Sequence, residues 1–230
     1  SAMEQALGRS VDVPYRYDAV LNGLAVRLSA GEAKVVAGLP GVLRVERDFN
    51  RQIDTDAGPV WIGAGGIWDG SATGETSMGE GLIIGMIDTG INGDHPSFAD
   101  IGGDGYNHTN PLGAGNYLGW CDLGTYTCND KLIGVYDMTT ANDPEDSNGH
   151  GSHTASTVAG NVLNDVLVEF PTIDITRSIS GVAPHANIIS YRGCLPSGCQ
   201  KTASNAAINQ AVLEGVDATN YSIGGGRSNP

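Results

Sequence analysis

Leu82-Ile-Ile-Gly-Met-Ile-Asp-Thr-Gly90 decides the fold. Residues 82–87 form an unbroken apolar run that stops at a carboxylate, a hydroxyl and a glycine. A run this short, closed by turn residues, reads as a strand buried on both faces, the kind that parallel sheets carry between layers of helices. The pattern continues toward the carboxyl terminus. Residues 131–136, 186–191 and 216–223 read as further strands, and residues 150–160 and Lys201–Leu213 as helices. Strands alternating with helices imply an α/β domain with a mostly parallel sheet and right-handed crossovers. In such sheets ligands bind beyond the carboxyl ends of the strands, where both Asp88 and Ser222 fall. Residues 161–180 are longer than a minimal connection and read as a surface excursion.

Toward the amino terminus the pattern differs. Residues 15–48 read as strand, helix, strand. Leu24, Val26 and Leu28 alternate with Ala25 and Arg27, Ser29 and Glu32 form a capping box, and Leu43 and Val45 alternate with Arg44 and Glu46. This is a small α+β unit with little core of its own. A connector rich in Gly, Asp, Ser and Thr follows over residues 50–81, and its Trp61 and Trp68 predict that parts of it pack. Charge marks the same division. Residues 1–53 hold seven Lys/Arg and six Asp/Glu, whereas residues 54–230 hold five and twenty. Two domains, 1–53 and 54–230, are therefore expected.

Composition narrows the function. A net charge of −14 argues against nucleic-acid binding, which needs a basic surface. No apolar run approaches the roughly 20 residues needed to span a bilayer. The 34 glycines are scattered without a period, which points to many tight turns and not to low complexity. The four cysteines fall in two close pairs, Cys121/Cys128 and Cys194/Cys199, neither with CxxC spacing. Two local disulfides in an exported protein are one reading and four free thiols the other; three pairings exist, and spacing favours the local one. Residues 1–5 have neither the basic start nor the apolar core of a signal peptide, and Ser1-Ala-Met3 reads as a cloning remnant.

Candidate chemistry centres on Asn148-Gly-His-Gly-Ser-His-Thr154. His150 sits between two glycines at the mouth of a helix of small residues, and Asp88 sits at a rigid strand tip 62 positions earlier. A hydroxyl nucleophile needs a base that is neutral near pH 7, and histidine supplies it. A buried carboxylate fixes the tautomer of that base and stabilises the imidazolium that forms. Asp88 suits the orienting role, His150 the base, and the Thr89 hydroxyl is expected to donate to Asp88. The competing reading is a metal site using His150 and His153, with His95, Asp88 and Asp146 as further ligands. Against it, helical zinc pairs are usually spaced i, i+4 around a glutamate, and these histidines are three apart with none between them. No metal is expected. Asn107-His-Thr109 and Asn220-Tyr-Ser222 match glycosylation sequons, the second by coincidence.

In this order the motifs resemble those of the subtilisin-like serine proteases. The aspartate motif is Ile84-Gly-Met-Ile-Asp-Thr-Gly-Ile91, followed by His95-Pro96, and the histidine motif is that around His150. Gly181-Val-Ala-Pro184 resembles the turn before the next core strand, and Tyr221-Ser-Ile-Gly-Gly-Gly226 the segment lining the substrate cleft. The resemblance covers about residues 80–230. Residues 6–50 resemble the later part of the family's inhibitory propeptide, through Asn22-Gly-Leu-Ala-Val-Arg-Leu-Ser29 and Pro40-Gly-Val-Leu-Arg-Val-Glu46.

The resemblance implies a subtilisin-like sheet, incomplete in this chain, behind a ferredoxin-like propeptide remnant without its first strand. It makes Asp88 the orienting acid and His150 the general base of a secreted serine endopeptidase. Ser222, Ile223 and Gly224 would pair with an extended substrate backbone, and Ser197-Gly198 would form the opposite wall. The implied partners are a peptide or protein substrate, the chain's own propeptide, and the C-terminal half of the catalytic domain. Residues 49–56 would thread the cleft. No cofactor is implied for catalysis. Structural calcium in the whole protein is compatible with the family, but Ser97 stands where tightly binding members often carry an aspartate. The nucleophile's Gly-Thr-Ser-Met-Ala segment is expected beyond Pro230; Thr76-Ser77-Met78 mimics it only superficially. This piece alone is therefore expected to be inert. The alternative is a non-catalytic binding module on the same scaffold.

Overall fold

A computed structural model describes residues 1–17, 22–47, 57–169 and 174–224. Contacts divide the chain into two compact units, Ser1–Gln52 and Ile53–Pro230. In the first, Ser1 caps α1 (Ala2–Leu7) in a capping box with Glu4. Strands β1 (Tyr15–Tyr17) and β2 (Gly23–Ala25) pair antiparallel. Ser29 and Glu32 close the predicted capping box at the start of α2 (Ala30–Ala37). Three expectations are corrected. β2 ends at Ala25 and does not reach Leu28; a strand, β1, does precede it; and residues 42–47 form no strand. Leu43 is 97% exposed. The short alternation around Leu43 and Val45 finds no neighbouring edge among the described residues, and periodicity without a pairing partner does not make a strand. Residues 49–56, expected to thread a cleft, lie outside the described residues.

The second unit opens with two short helices in the connector, α3 (Gly58–Trp61) and α4 (Ala64–Trp68). Trp68 Nε1 donates to the Val182 carbonyl at 3.0 Å, so this end of the connector is packed. The central sheet holds β3 (Ile83–Asp88), β4 (Leu118–Gly119), β5 (Leu132–Asp137), β8 (Asn187–Arg192) and β11 (Ala218–Asn220). Its order is β11-β3-β8-β5-β4, and every pair is parallel. All six residues of β3 are buried, as are all six of β8. The three long strands start one residue later than expected. Leu82 stays outside β3 and is 45% exposed, while Asp88 becomes its last residue. β11 pairs only over three residues, so Ser222 and Ile223 lie beyond its end.

Two helices cover the sheet. α5 (His150–Ala159) packs with Ile84, Met86, Leu132, Val135 and Ile188, and α6 (Lys201–Leu213) packs with Ile83, Ile87, Ile133, Ile189 and Tyr191. The two sets alternate along β3, as opposite faces of a strand require. The helices contribute Ala155, Ala159, Ala207 and Ala211, small enough to bring their axes close to the sheet. The predicted excursion is a hairpin of β6 (Leu163–Glu169) and β7 (Asp174–Ile179). A second hairpin, β9 (Cys194–Leu195) and β10 (Gly198–Cys199), follows β8 directly.

A polar cluster occupies the amino ends of β5 and β8. Lys131 is fully buried, and its Nζ donates to the carbonyls of Pro184 and Ala186 at 2.7 and 2.6 Å. Burial pushes its pKa down to about 7. Beside it, the His185 ring lies between two carboxylates, with Nδ1 2.6 Å from Glu80 Oε1 and Nε2 2.9 Å from Asp104 Oδ2. Tyr106 stacks on the ring at a centroid distance of 3.7 Å.

Candidate active site

The opposite, carboxyl end of the sheet holds the predicted pair. Asp88 ends β3 and is 2% exposed; His150 opens α5 and keeps 49% of its side chain exposed. Asp88 Oδ1 lies 2.7 Å from His150 Nδ1 and accepts the Thr89 amide at 2.8 Å. Asp88 Oδ2 accepts the Thr154 hydroxyl at 3.2 Å. Among the described residues no group bonds His150 Nε2. With Nδ1–H donated to Asp88, the Nε2 lone pair faces outward, which is the tautomer a general base needs.

The hydroxyl that reaches Asp88 is thus Thr154 and not Thr89. Thr154 stands four residues after His150, one helical turn along the same face. Thr89 turns instead to Asp146, donating to Oδ1 at 2.7 Å, and accepts the Gly151 amide at 2.8 Å. Asp146, considered above only as a metal ligand, is the hub that seats the helix. Its Oδ1 also accepts the amides of Asn148 and Gly149, and its Oδ2 accepts the amide and hydroxyl of Ser152. The Gly149 and Ser152 amides are among the backbone donors that the start of α5 would otherwise leave unpaired. Burial alone would raise the Asp146 pKa, but hydrogen bonds from Ser152, Thr89 and Gly149 hold it below the usual carboxylate range. The signal in the sequence was an aspartate shortly before a helix start, a capping pattern.

Two glycines let the helix and the strand tip meet. A Cβ on Gly151 would collide with the Gly90 carbonyl, and one on Gly90 would lie 2.5 Å from the Pro144 carbonyl. Gly90 also has φ +120°, which disfavours any other residue. Glycine after His150 is thus a condition for placing the imidazole against Asp88.

The proposed metal ligands do not converge. His153 is exposed on α5, and His95 Nδ1 accepts the Ser97 amide at 3.2 Å in a 3-10 turn. Among the described residues no group of three or more His, Cys, Asp or Glu is placed to hold a metal ion. Both local disulfides are formed, Cys121–Cys128 and Cys194–Cys199. Ser197 and Gly198 sit at the exposed turn closed by the second. That hairpin follows β8, whose Arg192 pairs with Asp88. On the other side of β3, Asn220 of β11 pairs with Met86, and Ser222, Ile223 and Gly224 continue past it without strand pairing. Asn220 Nδ2 donates to the Ser222 hydroxyl oxygen at 3.0 Å. The two candidate walls therefore leave the sheet on either side of the strand that carries Asp88. Gly225 and Gly226 lie outside the described residues. No helix among the described residues is long and apolar enough to cross a membrane.

Residues 79–230 match the subtilase family, and residues 3–54 match peptidase inhibitor I9. The subtilisin-like protease SBT1.4 of Arabidopsis thaliana is 32% identical over 240 residues, covering 94% of this chain and 29% of that protein. The subtilisin-like protease SBT4.13 of the same plant is 34% identical over 226 residues, covering 97% and 28%. Among solved structures, sphericase aligns over 73% of this chain and 44% of its own, at 25% identity and a TM-score of 0.38. The chain thus spans less than a third of the length of these curated relatives.

Proposed function

The chain belongs to the subtilase family, and from that premise we propose that it supplies the Asp and His of an Asp-His-Ser triad in a secreted serine endopeptidase. The observation that carries this reading is the 2.7 Å contact between buried Asp88 and half-exposed His150, with Nε2 left outward. In the reaction Nε2 takes the proton of a serine hydroxyl as that oxygen attacks the scissile carbonyl, then returns it to the leaving amine. Asp88 holds the ring and stabilises its cationic form. No cofactor enters this chemistry. The substrate lies extended between residues 222–224 and the turn at Ser197-Gly198, its main chain pairing with the former. Residues 1–53 act as the propeptide, and the disulfides suit an oxidising, extracellular setting.

The serine lies in sequence following Pro230, in the half of the catalytic domain that completes the sheet. The edge of β11, unpaired among the described residues, and the exposed Ile208, Val212 and Leu213 of α6 are surfaces that this half would cover. The 230-residue chain by itself then has no peptidase activity. A fluorophosphonate probe applied to the chain and to a longer form that includes the following sequence tests this. The expected outcome is label on one serine beyond residue 230 and none within residues 1–230. Absence of label in the longer form, with extended peptides still bound, would instead establish the non-catalytic binding module.

A further inference from the structure

Arg192, like Lys131, is a buried basic side chain that the proposed chemistry leaves unused. It ends β8, pairs in register with Asp88 on one side and Asp137 on the other, and its side chain is 5% exposed. Burying a guanidinium is costly unless its donors are satisfied, and usually a carboxylate supplies the partner. Here the nearest carboxylate oxygen, Asp143 Oδ2, is 3.7 Å away on a side chain 53% exposed. The donors go to main-chain carbonyls. Nη1 bonds those of Asp143 and, at 2.9 Å, Glu145; Nε bonds that of Cys194 at 3.4 Å.

These carbonyls belong to two separate segments. Residues 143–145 lie against the Asp-Thr-Gly turn, where the Ile91 amide donates to the Pro144 carbonyl at 3.3 Å, and they lead through Asp146 into His150. Cys194 opens the disulfide-closed hairpin that carries Ser197-Gly198. A planar guanidinium donates in two directions from one rigid fork, whereas an ammonium is a single point. We propose that Arg192 is a positioning residue that braces the loop leading to His150 and the hairpin wall of the substrate crevice as one unit, so that it sets affinity for extended peptides. This inference rests on the reading of the crevice as a peptidase cleft.

The test uses the whole protein, including the sequence after Pro230. Kinetics are measured for Arg192→Met and Arg192→Lys on a peptide of about six residues and on a short acyl ester that does not reach the hairpin. Hydrogen exchange is followed on both variants. For Arg192→Met the peptide KM should rise about tenfold while the ester KM stays within about twofold, the split expected when ground-state positioning is lost. Exchange should increase in residues 143–150 and 194–199 together. Lys at 192 reaches one segment at a time, so it should restore protection to 143–150 and leave 194–199 loosened. Equal losses of kcat on both substrates with unchanged KM, and exchange raised across the whole sheet, would reduce Arg192 to a stability residue and overturn the proposal. So would exchange that rises in only one segment of Arg192→Met. If the wild-type protein cleaves neither substrate, the peptidase reading fails, and the exchange pattern alone decides whether the brace exists.

Discussion

The two ends of the sheet each hold a histidine against buried or half-buried carboxylates, yet the two clusters are arranged for opposite ends. At the amino end His185 is bonded through both ring nitrogens, to Glu80 and Asp104, and keeps 11% of its side chain exposed. Both bonds form only when both nitrogens carry protons, because a neutral imidazole donates once. At the carboxyl end the His150 ring is bonded, among the described residues, through Nδ1 alone and keeps 49% exposed. Satisfying both nitrogens yields a clamp between segments; leaving Nε2 unbonded keeps a lone pair available, as the proposed base requires. The difference lies in how many ring atoms the fold consumes, not in the residue types supplied.

The largest effect that would break this contrast is on turnover. In the longer protein His150→Ala should lower kcat/KM by about a thousandfold or more, as for loss of a triad base. Thermal denaturation should hardly change. The reverse is expected at the other end: His185→Ala should leave kcat per folded molecule unchanged and lower unfolding free energy by about 1–3 kcal/mol, for two charge-assisted bonds partly open to solvent. Urea melts and initial rates on the same preparations compare them. A His185→Ala variant as inactive as His150→Ala would erase the distinction between clamp and base.

A smaller effect sharpens it through pH. Burial alone would raise Glu80, but hydrogen bonds from His185 and from main-chain amides outweigh it and hold the carboxyl down to about 2. A depressed carboxylate adds stability that is complete above its unfolded value of 4.5 and disappears as pH falls toward about 2. Because Glu80 is 44% exposed, solvent screening keeps this contribution small. Glu80→Gln should flatten the acid limb of a stability–pH curve between those values and leave the curve above pH 5 parallel to wild type. An unchanged acid limb in this variant would show that the clamp carries no such linkage.

The sequence revealed the parts governed by local patterns. The Ser29–Glu32 capping box, α6, and the places of Asp88 at a strand tip and His150 at a helix start each depend on spacing within a few residues. What it hid depends on which distant segment passes nearby. Thr89 bonds Asp146 instead of Asp88 because the loop before α5 crosses the strand tip there, which no period in the sequence encodes. Leu43 and Val45 alternate as a strand should but find no neighbouring edge among the described residues, and β11 stops at Asn220 because only three residues pair with β3. Arg192 fell one residue past the expected strand and was not singled out, since its partners are main-chain carbonyls that no side-chain pattern marks.

The position of β8 between β3 and β5 bears on how the chain acquires its fold. β8 is made last of the three, so a nascent chain holds two apolar strands with no shared neighbour until residue 192 has left the ribosome. Non-local parallel pairing of this kind is slow, and unpaired edges invite aggregation while it waits. The first unit, whose β1–β2 pair spans only residues 15–25, needs no such delay and can order first. The geometry around His150 is therefore completed by a segment that lies beyond both Asp88 and His150 in the chain. Synthesis order leaves the surroundings of His150 unassembled until most of these 230 residues exist.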